Sequence, residues 1–353
     1  MITIKDKSKA VTKKVAKKTA AVLKTIIFSL KGRFGRKVVH RPLEPLIEPI
    51  PIDILQENIK KMTLIYHSDT GRSNIGVYMA QGFLIPDMML EIGRLREKVF
   101  RTVNEGTGKS CDIDEFDPFY HHMIAYDEVS NKVLGAYRIG LVDKILQSRG
   151  PEGLYSYTLF KYDALLKTHF IDGVELGRSF VDDEAGRAAL RALDCIWKGL
   201  GCFFAENPRY RYMVGPVSIS NSYTTSSKLL MIYFLKKNFK SELSPFVKAR
   251  VPVKLKAENS EELKDLANKF QNFSELDEWV KKFDGTVVPS LLKSYSKMHA
   301  KYLSFNFDPD FNTIDGMIMV DMVNAPKEEI IKHMGEASYA KYLAHYNSAQ
   351  TPH

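Results

Sequence analysis

Val174-Glu-Leu-Gly-Arg-Ser-Phe-Val181, then Asp182-Asp-Glu-Ala-Gly186, then an apolar-periodic run over 187–205: this stretch decides the fold. The first segment predicts a strand, the second a turn and the third a long helix, and a further strand is predicted over 211–219. A strand, a covering helix and a second strand make a crossover unit at the centre of a mixed α/β sheet. Working outward, 62–67 and 75–85 predict strands. Asp87 can cap a helix to about residue 103 that carries Leu90, Leu95, Val99 and Phe100, with Gly106 and Gly108 beyond its end. The apolar runs at 122–126 and 132–142, joined by Asp127-Glu-Val-Ser-Asn131, predict a hairpin. A helix follows over 223–239, then polar helices, a strand at 316–322 and a terminal helix at 326–346.

Within the 353 residues, 44% are apolar and 26% charged, which excludes a disordered, collagenous or disulfide-scaffold chain. Three cysteines, Cys111, Cys195 and Cys202, have no metal-ligand spacing and read as buried thiols of a reducing compartment. The charge is distributed unevenly. Residues 1–41 hold thirteen of the 51 Lys and Arg and one of the 42 acids, so the rest of the chain carries 38 bases against 41 acids. Nucleic acid is therefore not an expected partner of the folded part.

The basic segment has an order of its own. Val11, Val15, Val22, Leu23, Ile26 and Leu30 fall within an arc of about 120° on a helical projection, opposite Lys13, Lys14, Lys17, Lys18, Lys24 and Lys31. Residues 1–41 thus predict an amphipathic arm suited to an anionic membrane surface; a helix docked on its own domain is the alternative. No secretory signal is read, because lysines interrupt the apolar stretch. Four prolines in 40–51 (Pro42, Pro45, Pro49, Pro51) make 42–60 a linker to a domain over 61–240, with 241–353 as a small α+β extension packing on it.

Charged residues inside apolar strands are costly unless paired or used. Arg138 interrupts one predicted strand, and Glu175 with Arg178 interrupts the next. Positions 175 and 178 point to opposite faces of a regular strand, so a shared face requires a bulge, which Gly177 would permit. Ser179 and Ser220 lack the Gly-x-Ser-x-Gly elbow of a nucleophile, and His121 and His122 lack metal spacing and read as a strand-edge pair; covalent and metal catalysis are not expected.

Four clusters in order, Arg94-Leu-Arg-Glu-Lys-Val-Phe-Arg101, Asp112-Ile-Asp-Glu-Phe-Asp117, Leu134-Gly-Ala-Tyr-Arg138 and Glu175-Leu-Gly-Arg-Ser-Phe-Val181, resemble a GNAT-related superfamily. It contains the acyl-homoserine-lactone synthases and, closer, the hemolysin-like amino-acid N-acyltransferases of bacterial aminolipid synthesis. Leu200-Gly-Cys-Phe203 and Ile232-Tyr-Phe-Leu-Lys-Lys-Asn-Phe239 are similar to the glycine-lipid type. The resemblance implies acyl transfer from the phosphopantetheine thioester of acyl carrier protein to the α-amine of a small amino acid, glycine first and ornithine second, with no permanently bound cofactor.

An α-amine is mostly protonated at neutral pH and needs a base. The resemblance makes Glu175 that base, its pKa raised by burial, with the structural ion pair as its other reading. Arg138 and Arg178 would hold a substrate carboxylate or the pantetheine phosphate. Arg96, Phe100, Asp114, Asp117 and Ser179 would line the acceptor side. A coenzyme A binder of this fold carries a glycine-rich basic loop at the helix start, where this chain has Asp182-Asp-Glu-Ala-Gly186-Arg187, so a carrier-bound pantetheine with one phosphate fits better. Gly186, Arg187, Arg191 and Lys198 would face the carrier protein, with a solvated helix face as the alternative. The enzyme is expected to be cytoplasmic and peripheral on the inner membrane. Its rivals are a homoserine-lactone-like signal synthase, against which both tryptophans lie far from the 100–112 segment, and a non-catalytic membrane-surface binder of the same fold.

Overall fold

The computed structural model describes residues 43–69, 74–182, 184 and 186–348, the side chains of Lys167, Arg187 and Ser348 excepted. The arm expected over 1–41 lies outside the described residues. The segment expected as a linker over 42–60 is described from Leu43 and is irregular only to Pro51; helix α1 (Ile52–Ile59) starts directly after it and buries Leu55 and Asn58. The segment is docked rather than spanning: Glu44 N–H donates to Gly108 O at 2.8 Å and Ile47 N–H to Ser110 O at 3.1 Å. Proline ends no helix that starts behind it, and Ile52, Leu55 and Ile59 have helical spacing.

Strands β1 (Thr63–Asp69) and β2 (Asn74–Gln81) precede α2 (Pro86–Thr102), which has Pro86 at its first turn, where no amide donor is needed. The hairpin is β3 (His121–Asp127) and β4 (Lys132–Leu141), leading into α3 (Val142–Arg149). After the two-residue β5 (Phe160–Lys161) come β6 (Gly173–Val181), α4 (Arg187–Glu206) and β7 (Tyr212–Ser220), the crossover read from the sequence, and then α5 (Thr225–Asn238).

Beyond residue 240 the chain departs from the expected extension. After the short β8 (Lys248–Ala249) and three helices, β9 (Lys301–Asp308) and β10 (Thr313–Asp321) join the main sheet, whose order is β1-β2-β3-β4-β6-β7-β10-β9. β10 pairs antiparallel with β7 from Thr313↔Ser220 to Asp321↔Tyr212, so the C-terminal part is a quarter of one continuous sheet. The terminal helix expected over 326–346 is two, Lys327–Met334 and Glu336–Ser348, broken at Gly335 with φ 81°. His121 and His122 lie on β3, an interior strand between β2 and β4, and not at an edge. No helix among the described residues is long and apolar enough to cross a membrane.

Two features of the sheet prepare a site. β6 and β7 pair in parallel only over Gly173↔Tyr212, Val174↔Met213 and Glu175↔Val214. At that limit the backbones nearly touch, since a Cβ on Gly215 would stand 2.2 Å from Leu176 O. Past it the strands part. On the other edge of β6, Ala136 faces Phe180 while Arg138 faces Gly177, so two residues of β6 oppose one of β4. This is the bulge that a shared face for 175 and 178 required. The left-handed residue is Arg178 itself, φ 51°, and not Gly177. A non-glycine residue there costs about 1–3 kcal/mol, a strain characteristic of functional positions.

Candidate active site

Where β6 and β7 separate, a cleft of about 120 Å³ opens. Leu176, Gly177, Arg178 and Ser179 line it from β6, Pro216, Val217 and Ser218 from β7, and Phe100 and Glu105 from the end of α2 and the turn after it. Asp308, Phe311, Thr313 and Asp315 line it from the C-terminal hairpin, with Tyr155 beside them. A Cβ built on Gly177 meets nothing within 4 Å, so the cleft stays open over its floor. Of the residues singled out in the sequence, Phe100, Arg178 and Ser179 are in this lining.

The other arginines stand behind it in a chain of buried ion pairs. Arg96 donates to Asp117 through Nη1 at 2.9 Å and Nη2 at 2.7 Å, also donates to the carbonyl of Asp112, and lies 3.1 Å from the Asp112 carboxylate. Arg138 Nη1 donates to both oxygens of Asp114 at 2.6 and 2.7 Å and to Asp117 Oδ1 at 3.2 Å. Arg178 Nη2 completes the series on Asp114 Oδ2 at 2.9 Å. Burial pushes the Asp114 carboxyl up, but Arg138 and Arg178 reverse that and hold it at about 2. Asp117 is likewise buried, and Arg96, Arg138 and His122 draw it far below the carboxylate range. Asp114 also accepts the N–H groups of Phe116 and Asp117 at 3.0 and 3.2 Å, the local capping expected of an Asp in such a turn.

Aromatic faces complete the packing. The Arg138 guanidinium sits 5.8, 5.2 and 4.9 Å from the rings of Phe116, Tyr120 and Tyr155, and that of Arg178 4.9 and 4.0 Å from Tyr155 and Phe311. Arg178 is thus fixed by Asp114 on one side and rings on the other. Its Nε has no hydrogen-bond partner among the described residues.

Glu175 lies outside the lining, and its carboxylate is already occupied. It accepts from the hydroxyls of Tyr120 and Ser156, from Tyr155 N–H at 3.0 Å and from Ser156 N–H at 2.9 Å. Those donors start the short helix Tyr155–Leu159, so Glu175 fixes the turn that places Tyr155 at the cleft. These four donors brace Glu175, which makes no ion pair with Arg138 or Arg178 among the described residues.

The residues expected to face a carrier protein run from Gly186, just before α4, to Lys198 in its middle. Gly186, φ 57°, precedes its first turn, and Lys98 pairs with Asp182 at 3.2 Å and Glu184 at 2.6 Å. Lys198 pairs with Asp194 at 2.8 Å and is 5.8 Å from the Tyr66 ring centroid, Arg191 is half-buried, and the Arg187 side chain lies outside the described part. Lys198 is therefore not a free cation of that face.

Glu105, Tyr155, Ser218, Asp308 and Asp315 were not read from the sequence. A signal existed for one: Asp315 directly precedes the apolar run 316–322. For Glu105, at the end of a helix, none did.

Residues 95–197 match the family described as the acetyltransferase (GNAT) domain. The chain is 32% identical over 269 residues to a glycine N(alpha)-acyltransferase of Bacteroides thetaiotaomicron, an alignment covering 72% of this chain and 78% of that protein. It is 34% identical over 207 residues to a glycine N(alpha)-acyltransferase of Phocaeicola vulgatus, covering 56% of this chain and 63% of that one. Among solved structures, a CoA-dependent acyl-homoserine lactone synthase aligns over 64% of this chain and 75% of its own at 12% identity and a TM-score of 0.28.

Proposed function

We propose that this chain, which belongs to the GNAT-related N-acyltransferase family of these two relatives and so catalyses acyl transfer to an amine, moves a long fatty acyl group from acyl carrier protein to glycine. The observation that carries the reading is the cleft between the parting strands. Backbone groups of β6 past Glu175 and of β7 past Val214 do not pair with each other, so an extended thioester arm with its own amides can lie between them as an added strand. Arg178 lines the same space, where a guanidinium suits the acceptor's carboxylate.

Arg138, Asp114, Asp117 and Arg96 act through Arg178: their ion pairs hold it in a strained backbone conformation and so position the acceptor. Phe100 and Ser179 line the acceptor side. Carrier protein is favoured over coenzyme A because Asp182 and Glu184 stand at the start of α4, where a pyrophosphate would otherwise bind. Leu190, 76% exposed one residue before Arg191, offers that carrier an apolar contact beside a basic one. Glycine rather than ornithine follows the names of the relatives. The acyl-amino acid is an amphiphile whose exit into a bilayer accords with residues 1–41 lying on an anionic inner-membrane surface.

Lipid mass spectrometry of a heterologous host expressing the wild type or Gly177→Val tests this reading. A new N-acylglycine in the first and its loss in the second, where the added side chain fills the cleft, is the expected result. No new N-acylated amino acid in either host would overturn it, and an ornithine product would replace the acceptor alone.

A further inference from the structure

Two walls of the cleft differ in how their charges are satisfied. On the β6 side, Asp114 and Asp117 are saturated by guanidiniums, and Glu175 beneath them by four donors. On the opposite side, three carboxyls line the cleft with no ion pair among the described residues. Asp315 is 6% exposed and among the described residues is hydrogen-bonded by Thr313 Oγ1 alone, at 3.3 and 3.4 Å. Asp308, 4% exposed, accepts the N–H of Asp310 and of Phe311 on one oxygen at 2.8 and 3.3 Å, leaving the other to a 3.5 Å contact with the Tyr155 hydroxyl. Glu105 accepts from Ser218 Oγ at 2.8 Å. Buried carboxyls left this way are expensive for a fold.

We propose that Asp315 is the proton acceptor for the amine in acyl transfer, and that Asp308 and Glu105 complete with it an anionic wall that binds the acceptor's ammonium while Arg178 binds its carboxylate. The inference rests on the reading above that the acceptor is an amino acid. Placement supports it. Asp315 lies on β10 opposite Ser218 of β7, and Thr313 opposite Ser220, so both are carried by an interior strand and not by a loop. Phe311, from the same hairpin, packs at 4.0 Å on the Arg178 guanidinium. Arg178 on β6, Asp315 on β10 and Asp308 at the end of β9 are thereby carried by one sheet, with Glu105 in the turn after α2 beside them.

The electrostatics fit the task. Burial, then the Asp308 and Glu105 carboxyls, push the Asp315 acid well above its ordinary range; the Thr313 hydroxyl and Arg178 oppose this and do not cancel it. Asp308 and Glu105 are each raised too, chiefly by burial. An arriving ammonium supplies the missing positive charge, which favours the ionised form of the wall and readies Asp315 to take a proton. The Asp315 carboxylate then removes one proton from the ammonium, and the freed amine attacks the thioester carbonyl. The C–N bond forms as the C–S bond breaks, the second nitrogen proton passes to the leaving thiolate, and Asp315 releases its proton to solvent.

Steady-state acylation of glycine by the full-length protein with palmitoyl-acyl carrier protein tests this, comparing the wild type with Asp315→Asn across pH. At pH 7.5 the variant is expected to lose at least 100-fold in kcat/KM for glycine. Its log kcat/KM should climb with unit slope as the free-amine fraction grows, while the wild type levels off. Its thermal midpoint at pH 8 should match or exceed the wild type's, because a crowded buried charge is gone. Activity within threefold and an unchanged pH profile would overturn the inference. If Asp315→Asn does not fold, Glu105→Gln and Asp308→Asn serve instead: removal of either carboxyl should move the wild-type pH limb to lower pH, and an unmoved limb would overturn the inference. A wild type that makes no N-acylglycine would refute the functional reading itself; an active wild type with an equally active Asp315→Asn refutes only the assignment of the base.

Discussion

Asp114→Asn is the perturbation that most fully engages the ion-pair chain. The carboxylate takes Arg138 Nη1 at 2.6 and 2.7 Å and Arg178 Nη2 at 2.9 Å, and the two arginine side chains are 1% and 8% exposed. Removing one partner of a buried ion pair costs about 3–5 kcal/mol, because the stranded charge cannot reach water. Arg138 retains Asp117 at 3.2 Å, so the lower end, about 3 kcal/mol, applies here. Linkage gives a second route to the magnitude. A carboxyl held near 2 against an ordinary 3.8 contributes stability that is present above pH 4 and lost as pH falls towards 2. At 1.36 kcal/mol per pH unit that is about 2–3 kcal/mol, in agreement with the first. Urea unfolding at pH 7 should therefore place the variant about 3 kcal/mol below the wild type, with the gap closing towards pH 2. With Arg178 unanchored, KM for glycine should rise more than kcat falls. A variant within 1 kcal/mol of the wild type at pH 7 would refute the reasoning.

Two further outcomes separate support from chemistry. Glu175→Gln leaves several of four donors without an acceptor, so it should cost about 1–3 kcal/mol in urea unfolding while retaining more activity than Asp315→Asn; unaltered stability with abolished activity would return proton removal to Glu175. His122 is 1% exposed, and burial, against the opposing pull of Asp117, lowers it to about 4. Its contribution is present above 6.5 and lost as pH falls towards 4, so by pH 5 the wild type should have lost about 2 kcal/mol on its account. His122→Gln should show a flatter decline between pH 7 and 5 in the same assay, and an identical decline would exclude the histidine.

Much of the sheet was legible because its strands are apolar runs divided by turn residues, and the crossover at 174–219 has few alternatives. What the local pattern could not supply was partnership. Arg96, Arg138 and Arg178 look alike in the sequence, and only the fold shows that the first two stand behind the cleft on Asp114 and Asp117 while the third, also on Asp114, reaches its lining. Glu175 was conspicuous as a charge in an apolar strand, yet its donors come from Tyr120, Tyr155 and Ser156, well separated from it in sequence. The bulge was inferred from Gly177, although sheet geometry places the unusual backbone on Arg178. Asp308 and Asp315 were missed because 301–308 lacks a clear turn signal before it, so the hairpin that completes the cleft read as an appendage.

The structure of the protein with N-palmitoylglycine bound tests the central claim most directly. The account predicts the head-group carboxylate on the Arg178 guanidinium, the amide nitrogen facing Asp315, and the acyl chain leaving between β6 and β7. A product held elsewhere, with the space beside Gly177 vacant, would contradict it.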